Sequence, residues 1–216
     1  MVVRLKKKNL IEDEKEIVSF NPKKLIKHFY EKVDVSTAAI VIFISIFIET
    51  LILFLLKSPN VLSYFTIRVI ISFVFSWFIL GIILYLILYF VKGKNNLKGG
   101  ELKNILSSLA AFRVVSIIAI LVVFAIVLIF MPKVIPFMSM SIQNPDYIYN
   151  SGMLPNLGGG AVVGLLLLFA FSIALLVYYI LMFYHFVKKM FDFEVLGNVV
   201  MTVILLVIMY FFSSIL

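Results

Sequence analysis

The sequence predicts an all-α polytopic membrane protein: a bundle of five transmembrane helices preceded by an N-terminal amphipathic interfacial helix. Three features of the chain point there. First, 63% of its 216 residues are hydrophobic and the mean hydropathy is +1.16, more apolar surface than a water-soluble fold can hide. Second, five apolar runs reach the ~20 residues that a helix needs to cross a hydrocarbon core of ~30 Å. Third, Lys and Arg outside these runs are sharply biased: the tail and the second and fourth connections hold 15, and the first and third hold 2. By the positive-inside rule the N-terminus is cytoplasmic and the C-terminus outside. The chain then divides into a tail with its interfacial helix, residues 1–34, and a five-span membrane domain, residues 35–216.

Residues 1–19 alternate blocks of opposite charge, Arg4 and Lys6 to Lys8 followed by Glu12, Asp13, Glu14, Lys15 and Glu16, the pattern of a solvated tail. This opening is too polar and too long for a cleaved signal peptide, so the first apolar run is the expected insertion signal. Asn21 and Pro22 then form a helix start. Asn accepts hydrogen bonds from free backbone N–H groups, and Pro has none to lose at the first helical position. Leu25, Ile26, Phe29, Tyr30 and Val33 recur at helical spacing, with Lys23, Lys24, Lys27 and Lys32 on the other flank. That pattern places the lysines against lipid headgroups and the apolar side at the acyl boundary. A docking helix for a protein partner is the competing expectation. His28 is expected on its exposed side.

Span one, residues 36–56, carries Glu49, and span two, residues 64–91, carries Arg68 near its start. Only Lys57, Ser58, Pro59 and Asn60 lie clearly between their cores, which requires an antiparallel hairpin. Ser72, Ser76, Trp77 and Gly81 give span two packing material. After a basic turn, Gly99 and Gly100 form a flexible hinge into the third span and are grouped with the expected helix-packing positions. Glu101 falls in its first turn, where a carboxylate favours the positive end of the helix dipole. Ser107, Ala110 and Ala111 form a small-residue face for close helix packing, and this is the expected central helix. A greasy loop with four prolines follows over residues 132–160 and is expected to lie on the membrane surface or dip into it. Span four, residues 161–187, opens on Gly160 and Gly164 in GxxxG spacing. Span five covers residues 195–216.

Three ionisable residues within spans need partners or a route to water, since each costs ~2.5–3.5 kcal/mol at mid-helix on the insertion scale. Glu49 is within reach of Arg113 or Arg68. The expected arrangement is a charge pair clamping helices together; the alternatives are a proton or ion path and snorkelling arginines. His185, beside Tyr184, Lys188 and Lys189, reads as a surface histidine near the cytoplasmic end of its span.

Several function classes are excluded by what the chain lacks. There is no cysteine, and so no disulfide, thiolate metal site or cysteine nucleophile. HExxH, GxSxG, a Walker loop and a Ser-His pairing are all missing, so no enzyme, cofactor or metal is expected. The net charge of +8 speaks to topology and lipid contact, not nucleic acid. No internal repeat suggests the paired halves of many transporters.

The Asn21-Pro22 basic and aromatic helix, the Gly99-Gly100 turn into the small-residue stretch of residues 102–111, and the span-four ending of Tyr178, Tyr179, Tyr184, His185 and Phe186 together resemble the Yip1 domain family of five-span membrane proteins. The resemblance covers residues 20–216. It implies five spans, a cytoplasmic N-terminus and, for prokaryotic members, a cell-membrane location with no settled activity. Eukaryotic members imply vesicle traffic through prenylated small GTPases and related membrane proteins. The tail lacks their Asp-Leu-Tyr-Gly-Pro motif, and Arg113 with Val114 stands where the family tends to have small residues or proline, so small-GTPase binding is not carried over. The expected role is non-enzymatic: membrane organisation or scaffolding by association with itself or other membrane proteins, in contact with membrane lipids. The alternative is a small transporter or channel subunit with a polar path through Glu49 and Arg113.

Overall fold

A computed structural model describes residues 20–55, 59–93, 97, 99–132, 134 and 159–215, with the side chains of 53–55, 59–73, 76 and 208–215 left undescribed. The tail of residues 1–19, the path of the 132–160 loop and the side chain of Arg68 therefore lie outside the described residues. The described residues are all-helical. They form α1 (Pro22–Glu31), α2 (Val35–Leu55), α3 (Pro59–Lys92), α4 (Glu101–Phe130), α5 (Gly159–Phe191) and α6 (Val195–Ile215).

Local chemistry sets the ends of these helices. Asn21 caps α1, its side-chain oxygen accepting from the backbone N–H of Lys23 at 3.0 Å, and Pro22 follows at the first helical position. Asp34 does the same for α2 through the N–H of Thr37 at 2.9 Å. Hydrogen bonds from the Thr37 side chain and then from this backbone N–H hold the Asp34 carboxyl below the usual carboxylate range. Gly100 precedes α4 with a φ of 96°, a left-handed conformation that a side chain would strain. Asp192 turns the chain between α5 and α6 at a φ of 55°, where a short polar side chain is tolerated.

Among the described residues, three helical stretches are long and apolar enough to cross a membrane: Val35–Ile52, Glu101–Phe130 and Gly159–Phe191. Trp77–Lys92 and Val195–Val207 are shorter apolar stretches among the described residues.

The chain packs as two compact units. Of the described residues, the first joins 20–40, 76–112 and 178–215. At its centre is the start of α4, where every residue from 105 to 111 is buried, so that this segment meets protein on all sides. Trp77 of α3 donates its indole N–H to the Leu106 carbonyl at 2.8 Å, and a Cβ on Gly81 would collide with the Leu106 side chain. From α5, Met182, Phe183, Phe186, Val187 and Met190 are buried, and Phe112 sits 6.0 Å from the Phe183 ring and 6.2 Å from Phe186, both edge-on.

The apolar face of α1 belongs to this core. Leu25, Ile26, Phe29 and Tyr30 are all buried within the protein, Ile26 almost completely, which corrects the expectation that this face lies at the acyl boundary. An amphipathic helix gains about 1.5–3 kcal/mol per fully buried large apolar side chain wherever that surface leaves water, and here the protein itself supplies the cover.

The second unit joins Val41–Phe75 and Arg113–Val177. Ile42, Ser45, Ile46, Val115, Ala119 and Met131 are buried in it. Much of its surface is apolar and bare: Phe43, Phe47, Leu166 and Phe169 are each more than 60% exposed.

Candidate functional site

The expected intramembrane charges lie in the second unit. Glu49 on α2 is half-buried, and the positive charge of Arg113 on α4 acts on its carboxyl. The structure thus brings these two within electrostatic range of each other, while the Arg68 side chain falls outside the described residues.

The expected packing positions separate into two groups. Ser107 and Ala111 are fully buried on the central segment of α4. Gly164 is a point of close approach: a Cβ there would lie 2.8 Å from Met131 Cγ and 2.9 Å from Phe130 Cβ. Gly160 is exposed and meets only the Phe130 carbonyl at 3.4 Å. Gly99 and Gly100, grouped with the packing glycines on sequence, prove to be exposed turn residues where an added Cβ would meet nothing within 4 Å, so neither marks a close approach between helices. Lys23, Lys24, Lys27 and Lys32 are all exposed, opposite the buried face of α1. His28 and His185 are both half-buried, and the charges of Lys23 and Lys188 act on His185.

Sequence reading missed a polar site in the first unit, built where α1 ends, α4 begins and α5 ends. Glu101 opens α4 and is only 8% exposed; its Oε2 accepts a hydrogen bond from the Tyr30 hydroxyl at 2.5 Å, across 71 residues of chain. Burial, then the hydrogen bond to Glu101 and the charge of that carboxylate, push the Tyr30 phenol well above its usual range, while the Asn104 side chain pulls it the other way. One residue further along α1, Glu31 pairs with Lys189 of α5 at 2.5 Å, both side chains more than a third exposed. The Lys189 ammonium also stands 5.9 Å from the centroid of the Tyr30 ring, within cation–π range.

These residues line an open cleft of about 520 Å³. Lys92 from the last turn of α3, Gly99 and Asn104 complete one side; Lys188 and Asp192, at the end of α5, complete the other. The Asp192 backbone N–H caps α5 by donating to the Lys188 carbonyl at 3.0 Å. The lining therefore holds three ammonium groups and three carboxylates around one buried phenol.

Such a lining can hold charged groups in place. The Tyr30 hydroxyl donates to the Glu101 carboxylate, and the rest of the lining is lysine, carboxylate, amide and glycine. Among the described residues no group of three His, Asp or Glu is placed to hold a metal ion. Deeper in the same unit, Ser107 Oγ, Ser108 Oγ and Asn198 Oδ1 are buried with no hydrogen-bond partner among the described residues, whereas Thr202 returns its hydroxyl to the Asn198 carbonyl at 2.6 Å.

No protein-family model, no curated protein and no solved structure matches the chain.

Proposed function

We propose that the chain is a five-span integral membrane protein of Yip1 type that organises membrane by lateral association and catalyses no reaction. In this reading α3 and α6 also span, the N-terminus is cytoplasmic, the C-terminus is outside, and the location is a prokaryotic cell membrane. The partners are membrane lipids together with further copies of the chain or other membrane proteins; neither a nucleic acid nor a small GTPase is among them.

The observation that carries this reading is the bare half of α5. Val162, Val163, Leu165, Leu166 and Phe169 are all between 47% and 67% exposed over two turns, a surface that only acyl chains or another membrane protein can cover. A photo-crosslinking side chain introduced at Leu166, activated in intact membranes, is expected to capture protein as well as lipid, with mass spectrometry naming the captured chain. Adducts with lipid alone would overturn lateral association.

One observation favours the second reading, a small transporter or channel subunit: Arg113 acts on the half-buried Glu49 in the same unit. The two readings part on Glu49→Gln. A structural clamp loses thermal stability and recovers part of it when Arg113→Met is added, because breaking a buried pair costs more than removing both members. A transport site keeps its stability and loses pH-gradient-driven flux in proteoliposomes.

A further inference from the structure

The cleft at the start of α4 has a charge pattern that selects among ligands. A purely anionic group entering it would meet Glu31, Glu101 and Asp192, and a purely cationic one would meet Lys92, Lys188 and Lys189. Like charges brought together this way cost free energy that a ligand bearing both signs avoids. Two of the carboxylates are already held, Glu101 by Tyr30 and Glu31 by Lys189, and they act as fixed walls. Lys188 and Asp192 stand exposed on the rim, four positions apart about the last turn of α5, and present one ammonium and one carboxylate outward. The volume of about 520 Å³ exceeds that of a small polar headgroup.

We propose that this cleft binds a phosphate–ammonium zwitterion of the phosphoethanolamine class, its phosphate against Lys188 and its primary ammonium against Asp192. The phosphate oxygens accept charge-assisted hydrogen bonds from the lysine, and the ammonium donates to the carboxylate. A choline group has no N–H to donate, and a phosphoglycerol group offers Asp192 only neutral hydroxyls, so both lose the charge-assisted hydrogen bond to Asp192. The ligand is either the headgroup of a membrane lipid or a soluble phosphoethanolamine. The lipid source rests on reading Glu101–Phe130 and Gly159–Phe191 as spans, which brings the cleft to headgroup depth; the soluble source does not. Neither depends on lateral association, and a failed crosslink at Leu166 leaves the cleft untouched.

The test uses the full chain purified in detergent, titrated calorimetrically with four probes: dihexanoyl phosphatidylethanolamine, its phosphatidylcholine and phosphatidylglycerol counterparts, and free phosphoethanolamine. The expected result is binding of the ethanolamine lipid about tenfold or more tighter than the choline and glycerol lipids, the fold-change of one charge-assisted hydrogen bond. Lys188→Gln and Asp192→Asn should each weaken it by a similar factor. Both variants keep the apo melting temperature, since Lys188 is exposed and Asn tolerates the left-handed backbone of position 192. Lys103→Gln, exposed on α4 and outside the cleft lining, should bind as the parent does. Binding of free phosphoethanolamine at the same strength identifies a soluble ligand, and binding of the lipid alone identifies a membrane one. Equal binding of all three lipids, no binding of either ethanolamine probe, or unchanged affinity in both cleft variants would overturn the proposal.

Discussion

The two units use the same kind of helix to opposite ends. In the first, α1, α3, α4 and α5 are joined by directional bonds between residues far apart in sequence: Tyr30 to Glu101, Lys189 to Glu31, Tyr178 to the Phe20 carbonyl at 2.9 Å, and Trp77 to the Leu106 carbonyl. In the second, contact is made by shape. Gly164 lets α5 settle on Phe130 and Met131, and most side chains around it point outward and are apolar. The difference is one of means: directional bonds join residues far apart in sequence in the first unit, whereas a small residue that allows close approach brings helices together in the second.

The sharpest way to break that contrast is to remove the buried polar bond between α1 and α4 of the first unit. Tyr30→Phe leaves the Glu101 carboxylate buried without its hydroxyl donor and should cost about 1.5–3 kcal/mol in reversible unfolding measured in detergent. The same variant has a pH signature. The phenol of folded Tyr30 is held above its usual value, so the unfolded chain ionises first, near pH ~10, while the folded chain keeps its proton. The stabilisation is complete below that pH and falls as pH rises above it. A Phe in its place should abolish this share of alkaline sensitivity, and an unchanged alkaline slope would remove Tyr30 from the account.

For the second unit the matching change is steric. Gly164→Ala places a methyl against Met131 and Phe130 and should cost about 1–2 kcal/mol, within the overpacking range but limited because a methionine can bend aside. Gly160→Ala, in the same GxxxG pair, should stay within ~0.5 kcal/mol because only one carbonyl lies near it at 3.4 Å. Equal losses at the two glycines would mean that the motif acts through backbone entropy and not through contact.

The smallest effect is expected at the exposed pair of the first unit. Glu31→Gln should lower stability by ~0.2–1 kcal/mol at low salt, and the deficit should vanish as ionic strength rises. A loss that persists in salt would show that Glu31 works as part of the buried Tyr30 cluster.

Much of the scaffold could be read from the chain because its signals are local. Asn21-Pro22 states a helix start within two residues, and GxxxG states a close approach within five. The cover over α1 could not be read, since an apolar stripe looks the same whether acyl chains or protein will meet it. The cleft was hidden for a related reason. Glu101 already had a sufficient local explanation in the helix dipole, and nothing in the neighbourhood of Tyr30 along the chain announces a carboxylate 71 positions away. Glu49 and Arg113 stood out because charge is rare inside apolar runs; Lys188 and Asp192, in a polar turn, did not.

Trp77 has a practical consequence. It is the single tryptophan of the chain, half-buried, with its indole N–H tied to a carbonyl in the most enclosed part of the first unit. Ultraviolet excitation beyond the tyrosine band therefore lights one chromophore whose emission colour depends on whether α3 still touches the start of α4. The protein carries its own optical gauge of that junction, readable in micelles or vesicles without attached dye, and a ligand in the neighbouring cleft that tightens or loosens α4 would shift the spectrum.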